Sequence, residues 1–242
     1  MENERRLLLG TTFHHMVYQF LVGVSAEKIE TAIQDAQLHT WWLSFQNTIK
    51  HDHCMSRLFI NGARLYPEIS LSAPILSFRL VAKYDLVVIL PEGGIVIVDW
   101  KTSPTRPKRR WLVERMQTRV YPYLFLQAGN DWLRDFQSKP EDIRMIYWFA
   151  EHPDQPEIIP YTQKQYQDDA EHLNAIVSRI SKSDIESFPL TNDNRHCLYC
   201  VYRSLCDRGV GAGSLSEIDR ESEAGILEEF GLNFEQIAEV EY

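Results

Sequence analysis

The stretch Gly93–Pro104, "GGIVIVDWKTSP", decides how this chain is read. Ile95, Val96, Ile97 and Val98 run straight into Asp99, Trp100 and Lys101. A short apolar run rich in β-branched residues, opened by glycines, is the pattern of a buried strand. Such a strand excludes charge unless the charges are paired or hold a metal, because an ion loses its hydration there. Asp99 and Lys101 alternate onto the same face. They are therefore either an ion pair that closes a strand or part of a reaction centre at its end.

Working outward, "SFRLVAKYDLVVIL" (Ser77–Leu90) and "RLYPEISLSAPI" (Arg64–Ile75) carry the same apolar character, and "PEGG" (Pro91–Gly94) is turn chemistry. The expected elements are an antiparallel meander over Leu65–Leu71, Phe78–Leu90 and Ile95–Lys101. With Pro91-Glu92-Gly93 as a three-residue loop and Gly93 in its left-handed position, Leu90 faces Gly94 and Asp85 faces Asp99. Residues opposite each other in an antiparallel pair share a face, so this register puts two carboxylates and one amine on one surface. Facing carboxylates repel unless a cation bridges them. Oxygen-rich sites suit Mg²⁺ or Mn²⁺, and a lysine beside such a metal can orient water or offset charge developing on a phosphate. Glu68 on the neighbouring strand is either an outer ligand or a surface glutamate.

Around the meander the pattern is helical. Apolar spacing predicts a helix from Leu7 to about Val22 and a third from Thr40 to Lys50, with Ser25 opening a second between them. Another runs from about Lys108 to Ala128, with Pro122 as its weak point. "RMIYWFA" and "EIIPY" are two more strands, and Thr162 to about Ser181 is a polar amphipathic helix. The order ααα-βββ-α-ββ-α predicts an α/β fold with a mixed central sheet.

The chain has 242 residues, 44% of them hydrophobic and 24% charged, which excludes a disordered chain. Its apolar runs are too short to cross a membrane. "MENERRLLLG" lacks the apolar core of a secretory signal, so a cytoplasmic location is expected. The net charge of −9 argues at first against a nucleic-acid partner, but the average hides an asymmetry. Lys101, Arg106, Lys108, Arg109, Arg110, Arg115 and Arg119 stand against Glu114 alone, whereas residues 215–242 hold nine acids and one arginine. "RPKRR" (Arg106–Arg110) is either a solvated helix start or a run that tracks phosphates.

Two further features bear on function. Gln117 and Tyr121 lie four apart, on one face of the helix that follows the basic run. Cys197, Cys200 and Cys206 form C-x₂-C-x₅-C, a spacing that suggests zinc or an iron–sulfur cluster in a reducing compartment.

Taken in order, "GTTFH", "KYDLVVI", "VIVDWKTS", "RMQTRVYPYLF" and the cysteine cluster resemble the RecB-like branch of the PD-(D/E)XK nucleases, over about Leu9–Asp207. The resemblance implies a restriction-endonuclease-like core with a mixed central β-sheet flanked by helices over residues 1–190. A cysteine-cluster segment over 191–210 and an acidic tail over 211–242 would follow. It implies a metal-dependent DNA nuclease of repair or recombination, single-strand or end-directed. His14, Asp85 and Asp99 would hold Mg²⁺ or Mn²⁺. Lys101 would serve the attacking water and the phosphate, and Gln117 and Tyr121 would orient the lysine, the water or the DNA. Arg106, Lys108, Arg109 and Arg110 would bind the DNA backbone, with a helicase or repair protein as a possible partner. In relatives with this cysteine pattern, a fourth cysteine upstream of the first helix completes a 4Fe–4S cluster. None precedes Gly10 here, so Cys54, His196, His51 or His53 would complete the site, or the fourth thiol is missing. A non-catalytic DNA-binding or assembly module with the same fold is the alternative, and a zinc-binding interaction protein a more distant one.

Overall fold

The computed structural model describes residues 2–132, 138–183, 190–192, 194, 197, 200, 202–206, 209 and 211. The expected acidic tail from Leu215 and His196 lie outside them. Three helices come first: α1 Glu2–Leu21, α2 Ala26–Ala32 and α3 Ala36–His51. The meander follows as β1 Arg64–Ile75, β2 Phe78–Ile89 and β3 Ile95–Lys101. Helices α4 Arg109–Glu114 and α5 Met116–Trp132 cross over to β4 Ile143–Phe149, and β5 Glu157–Pro160 leads to α6 Gln163–Lys182.

The strands form one five-stranded sheet in the order β1-β2-β3-β4-β5. All neighbours are antiparallel except β3 and β4, which the helical crossover makes parallel. This is the mixed sheet flanked by helices of a restriction-endonuclease-like fold. One face packs under α1 and α3 through Leu86, Val88, Val96, Val98, Trp100 and Trp148. The other packs under α4 and α5 through Val87, Ile89, Ile95, Ile97, Tyr147 and Phe149. A strand buried on both faces reads as a continuous apolar run, which is why Ile95–Val98 has no polar residue.

The β2–β3 turn is the expected one. Leu90 N donates to Gly94 O at 2.8 Å, Gly93 N donates to Leu90 O at 2.9 Å, and Gly93 has φ +93°. Ile89 pairs with Ile95 and Leu86 with Val98. β1 runs beyond its expected end at Leu71 because it is an edge strand, where Pro74 removes no ladder bond that the sheet needs.

The helix expected over Lys108–Ala128 is interrupted, but not at Pro122. The break is at Arg115, whose ψ of 141° ends α4, while its carbonyl accepts from Arg119 N at 3.1 Å to open α5. Thr118 secures the junction: its hydroxyl donates to Leu112 O and lies 2.7 Å from the Tyr147 hydroxyl. Asp35 is the N-cap of α3, accepting from Gln37 N at 2.8 Å and Leu38 N at 3.3 Å. That start lies ahead of the expected Thr40.

Candidate active site

Alternation along β2 slips by one residue where β2 leaves β3. Tyr84 and Val87, three apart, both pack on the α5 side, while Leu86 packs on the α1 side. Tyr66 and Ile69 in β1 repeat the slip. Between them Glu68 has φ +54°, a left-handed conformation that costs a non-glycine residue about 1 kcal/mol or more. Glu68 and Asp85 occupy matching places, between the pairs Pro67–Leu86 and Ile69–Tyr84.

The slip corrects one expectation. Beyond the last β2–β3 pair, Leu86–Val98, the Asp85 and Asp99 carboxylates take different hydrogen-bond partners on opposite faces of the sheet. Asp85 Oδ1 lies 3.5 Å from His14 Nδ1 on α1, and Asp85 Oδ2 accepts from Trp100 N at 2.9 Å. The β2–β3 ladder has ended there, so a carboxylate supplies the acceptor that this strand N–H needs. Asp99 instead faces α5. Its Oδ2 is 2.8 Å from Lys101 Nζ, and its Oδ1 accepts from Gln117 Nε2. Lys101 Nζ also donates to Gln117 Oε1 at 3.2 Å and lies 5.9 Å from the Tyr147 ring centroid. Gln117 thus holds both members of the buried pair.

His14, Glu68 and Asp85 bring one ligand atom each within 4.8 Å of one another. Among the described residues this is the one such group of three or more histidine, cysteine or acidic side chains. An imidazole and two carboxylates suit a hard divalent cation. Glu68, left open by the sequence, takes the place in this group that Asp99 was expected to fill. Lys83 forms an ion pair with the Glu68 carboxylate.

Electrostatics separates the two aspartates. Burial raises the Asp99 carboxyl to about 6, with Asp85 adding to the rise and Lys101 opposing it. Burial also pushes Asp85 upward, but His14, Lys101 and the Trp100 N–H together outweigh it and hold the carboxyl below its ordinary value. Asp99 Oδ2 is buried and has no hydrogen bond of good geometry, the Lys101 contact being ionic but out of line. A buried oxygen so placed can still accept a donor or a cation.

The remaining candidates are distributed differently. Tyr121 is buried; its hydroxyl donates to Lys83 O at 2.7 Å and its carbonyl accepts from the Tyr84 hydroxyl at 2.9 Å. It fixes α5 against β2. Of the basic run, Arg106 and Arg109 both pair with the buried Glu157, and Arg109 also donates to Ile158 O at 2.8 Å. These two charges tie the β3–α4 loop to β5. Lys108 and Arg110 are exposed, Arg110 lying 4.7 Å over the Trp111 ring. Nothing in the sequence marks Glu157, which lies about fifty positions further along the chain.

Cys197 is buried, Cys200 half-buried and Cys206 exposed at the end of a short helix, Arg203–Cys206. Cys54 is half-buried in the turn after α3, its N–H bonded to Asp52. No three of these sulfurs come within 4.8 Å of one another.

The profile of the PD-(D/E)XK nuclease superfamily matches residues 1–207. The chain belongs to that superfamily. Among solved structures, a protein of Eubacterium rectale provisionally described as an exonuclease is similar in fold. Its TM-score is 0.51 at 13% identity, covering 88% of this chain and 77% of that one. The structure of the protein SSO0001 aligns with TM-score 0.38 at 13% identity, over 84% of this chain and 80% of that one. The curated proteins gave no match. Among the described residues, no helix is long and apolar enough to cross a membrane.

Proposed function

We propose that this chain is a metal-dependent deoxyribonuclease acting on single strands or DNA ends. The carrying observation is that two groups with complementary chemistry meet where β2 parts from β3. One is the His14–Glu68–Asp85 ligand group, the other the buried Asp99–Lys101–Gln117 trio.

His14, Glu68 and Asp85 would hold Mg²⁺ or Mn²⁺, which supplies Lewis-acid polarisation of a phosphoryl oxygen and a more acidic water. The chain's own residues do the rest. Asp99, ionised above about pH 6, lies 2.8 Å from the Lys101 ammonium group. Gln117 fixes the ammonium group from its second side, so the charge is in place before the substrate arrives. Such a fixed cation stabilises negative charge developing on phosphorus-bound oxygens and orients the attacking water. Tyr121 acts through position, holding α5 and hence Gln117 against the sheet. Lys108 and Arg110 are the exposed cations of the basic run that lie outside the Glu157 ion pairs, and they offer contacts to the DNA backbone. Cys197, Cys200 and Cys206 would carry an iron–sulfur cluster or zinc as a structural staple. Iron, zinc and sulfide analysis of anaerobically purified protein tests that part.

The test of the main reading is cleavage of end-labelled single- and double-stranded DNA in Mg²⁺ or Mn²⁺ against EDTA. The parent should cleave only with metal, and Asp99→Ala and Lys101→Ala should not. Glu68→Gln should weaken Mn²⁺ binding in calorimetry at least tenfold. Cleavage that survives both substitutions would remove the site from the reaction.

A further inference from the structure

The β1–β2 hairpin runs well past the end of the β2–β3 ladder, from Ile69–Tyr84 out to Ile75–Phe78, as a two-stranded ribbon. Its inner face is covered. Leu71, Ala73, Ala82 and Tyr84 pack on the α5 side, and Ile75 packs with Tyr123 and Leu173. Its outer face carries Ser70, Ser72 and Pro74 opposite Lys83, Val81 and Arg79. All six are exposed or half-exposed, and Val81 is 63% exposed. At the tip Leu76 and Phe78 stand 60% and 46% exposed.

Three observations say what this face meets. From Ile69 to Tyr84 there is no aspartate or glutamate, in a chain whose net charge is −9. Arg79 and Lys83 are the charged residues of that stretch. The row is also continuous with the ligand group. Glu68 and Asp85 occupy the next step after Ser70 and Lys83 in the same register, and Lys83 pairs with Glu68. Finally, the open edge of β1 is interrupted by Pro67 and Pro74, which lack the N–H that strand addition by a second protein chain would use.

From this we infer that the outer face of the ribbon is a track for single-stranded nucleic acid, on which the strand is led to or from the metal group. Arg79, whose guanidinium lies across the ribbon and donates to Ser72 Oγ at 2.7 Å, contacts phosphate, the small neutral Ser70 admits the backbone closely, and Phe78 at the tip offers its ring to an unpaired base. Unpaired bases have free faces for stacking and paired ones do not, so the ribbon favours a single strand over a duplex. This inference rests on the nuclease reading above and adds a path for the substrate.

The test is fluorescence anisotropy of a labelled oligothymidine and of a matching duplex in EDTA, where no turnover occurs. Parent, Arg79→Glu and Phe78→Ala are compared, with thermal melts as fold controls; both side chains lie outside the core. Phe78→Ala should weaken the single strand about fivefold or more and the duplex less. Arg79→Glu should weaken it and lower the salt slope by about 0.7. Unchanged single-strand affinity in both variants overturns the track while leaving the nuclease reading intact. Equal loss for duplex and single strand overturns the preference for unpaired bases. A change in oligomeric state by light scattering, without loss of affinity, assigns the face to a second copy of the chain and also overturns it. A parent that neither binds nor cleaves overturns the nuclease reading and the track together.

Discussion

Replacing Lys101 by methionine removes the ammonium group 2.8 Å from Asp99 Oδ2 and leaves a fully buried carboxylate with Gln117 as its hydrogen-bond donor. Removing one member of a buried ion pair destabilises by about 3–5 kcal/mol, because the other charge stays desolvated. The structure gives the loss a pH signature. Asp99 already titrates at about 6 in the parent, raised by burial and by Asp85. A carboxyl with a raised folded-state value binds its proton more tightly in the native chain. Its contribution is therefore fully present below the unfolded value near 4 and is lost as pH rises through about 6, on the order of 3 kcal/mol across the window. Without Lys101 the Asp99 value rises further, so the penalty of Lys101→Met is full at pH 8 and shrinks as pH falls to 5. Urea unfolding in EDTA, followed by fluorescence of the buried Trp42, Trp100 and Trp148, measures both ends. The double variant Asp99→Asn/Lys101→Met should recover most of the loss at pH 8, since no charge remains buried. A penalty that is equal at pH 5 and pH 8, or a double variant as unstable as the single one, would refute the reasoning.

Three other outcomes follow from the geometry. Leu76→Gly should stabilise the hairpin by about 1 kcal/mol, because Leu76 holds φ +52° in the turn; the melting temperature reports it. Glu157→Gln should lower stability by about 2–3 kcal/mol in urea, since Arg106 and Arg109 both lose their buried carboxylate partner. Asp35→Ala should cost about 1 kcal/mol by thermal denaturation, as α3 loses the cap on Gln37 and Leu38.

Local chemistry made much of the fold legible. Pro91-Glu92-Gly93 dictates the loop, the loop dictates the register, and Gly93 takes the left-handed position that only glycine holds without strain. Thr162 opens α6 with its hydroxyl on Gln165 N, where the polar amphipathic pattern begins. What stayed hidden was non-local or strained. The slip at Glu68 needs a backbone conformation that glutamate disfavours, so alternation alone puts Asp85 on the wrong side. The partner of Arg106 and Arg109 is set by β5 lying beside the loop, which only the assembled sheet provides. The break at Arg115 depends on Thr118 reaching Leu112 and Tyr147, and that reach brings Gln117 to the start of α5. Among the aromatics of α4 and α5, Tyr123 and Phe125 are buried, and Trp111 carries Arg110.

The parallel pairing of β3 with β4 has a kinetic consequence. The β1–β2–β3 meander forms from neighbours in sequence and can assemble early, because its loops close at small entropic cost. β4 can join only after the whole α4–α5 crossover has been laid down. Asp85 and Asp99 belong to the meander, whereas His14 reaches Asp85 from α1 and Gln117 reaches Asp99 from α5. A meander formed alone therefore carries both aspartates without His14 or Gln117, and the Lys101 grip of Gln117 needs α5 to dock as well. In a refolding experiment, the interval between strand formation and the docking of α1 and α5 is the time during which Asp85 and Asp99 lack these partners.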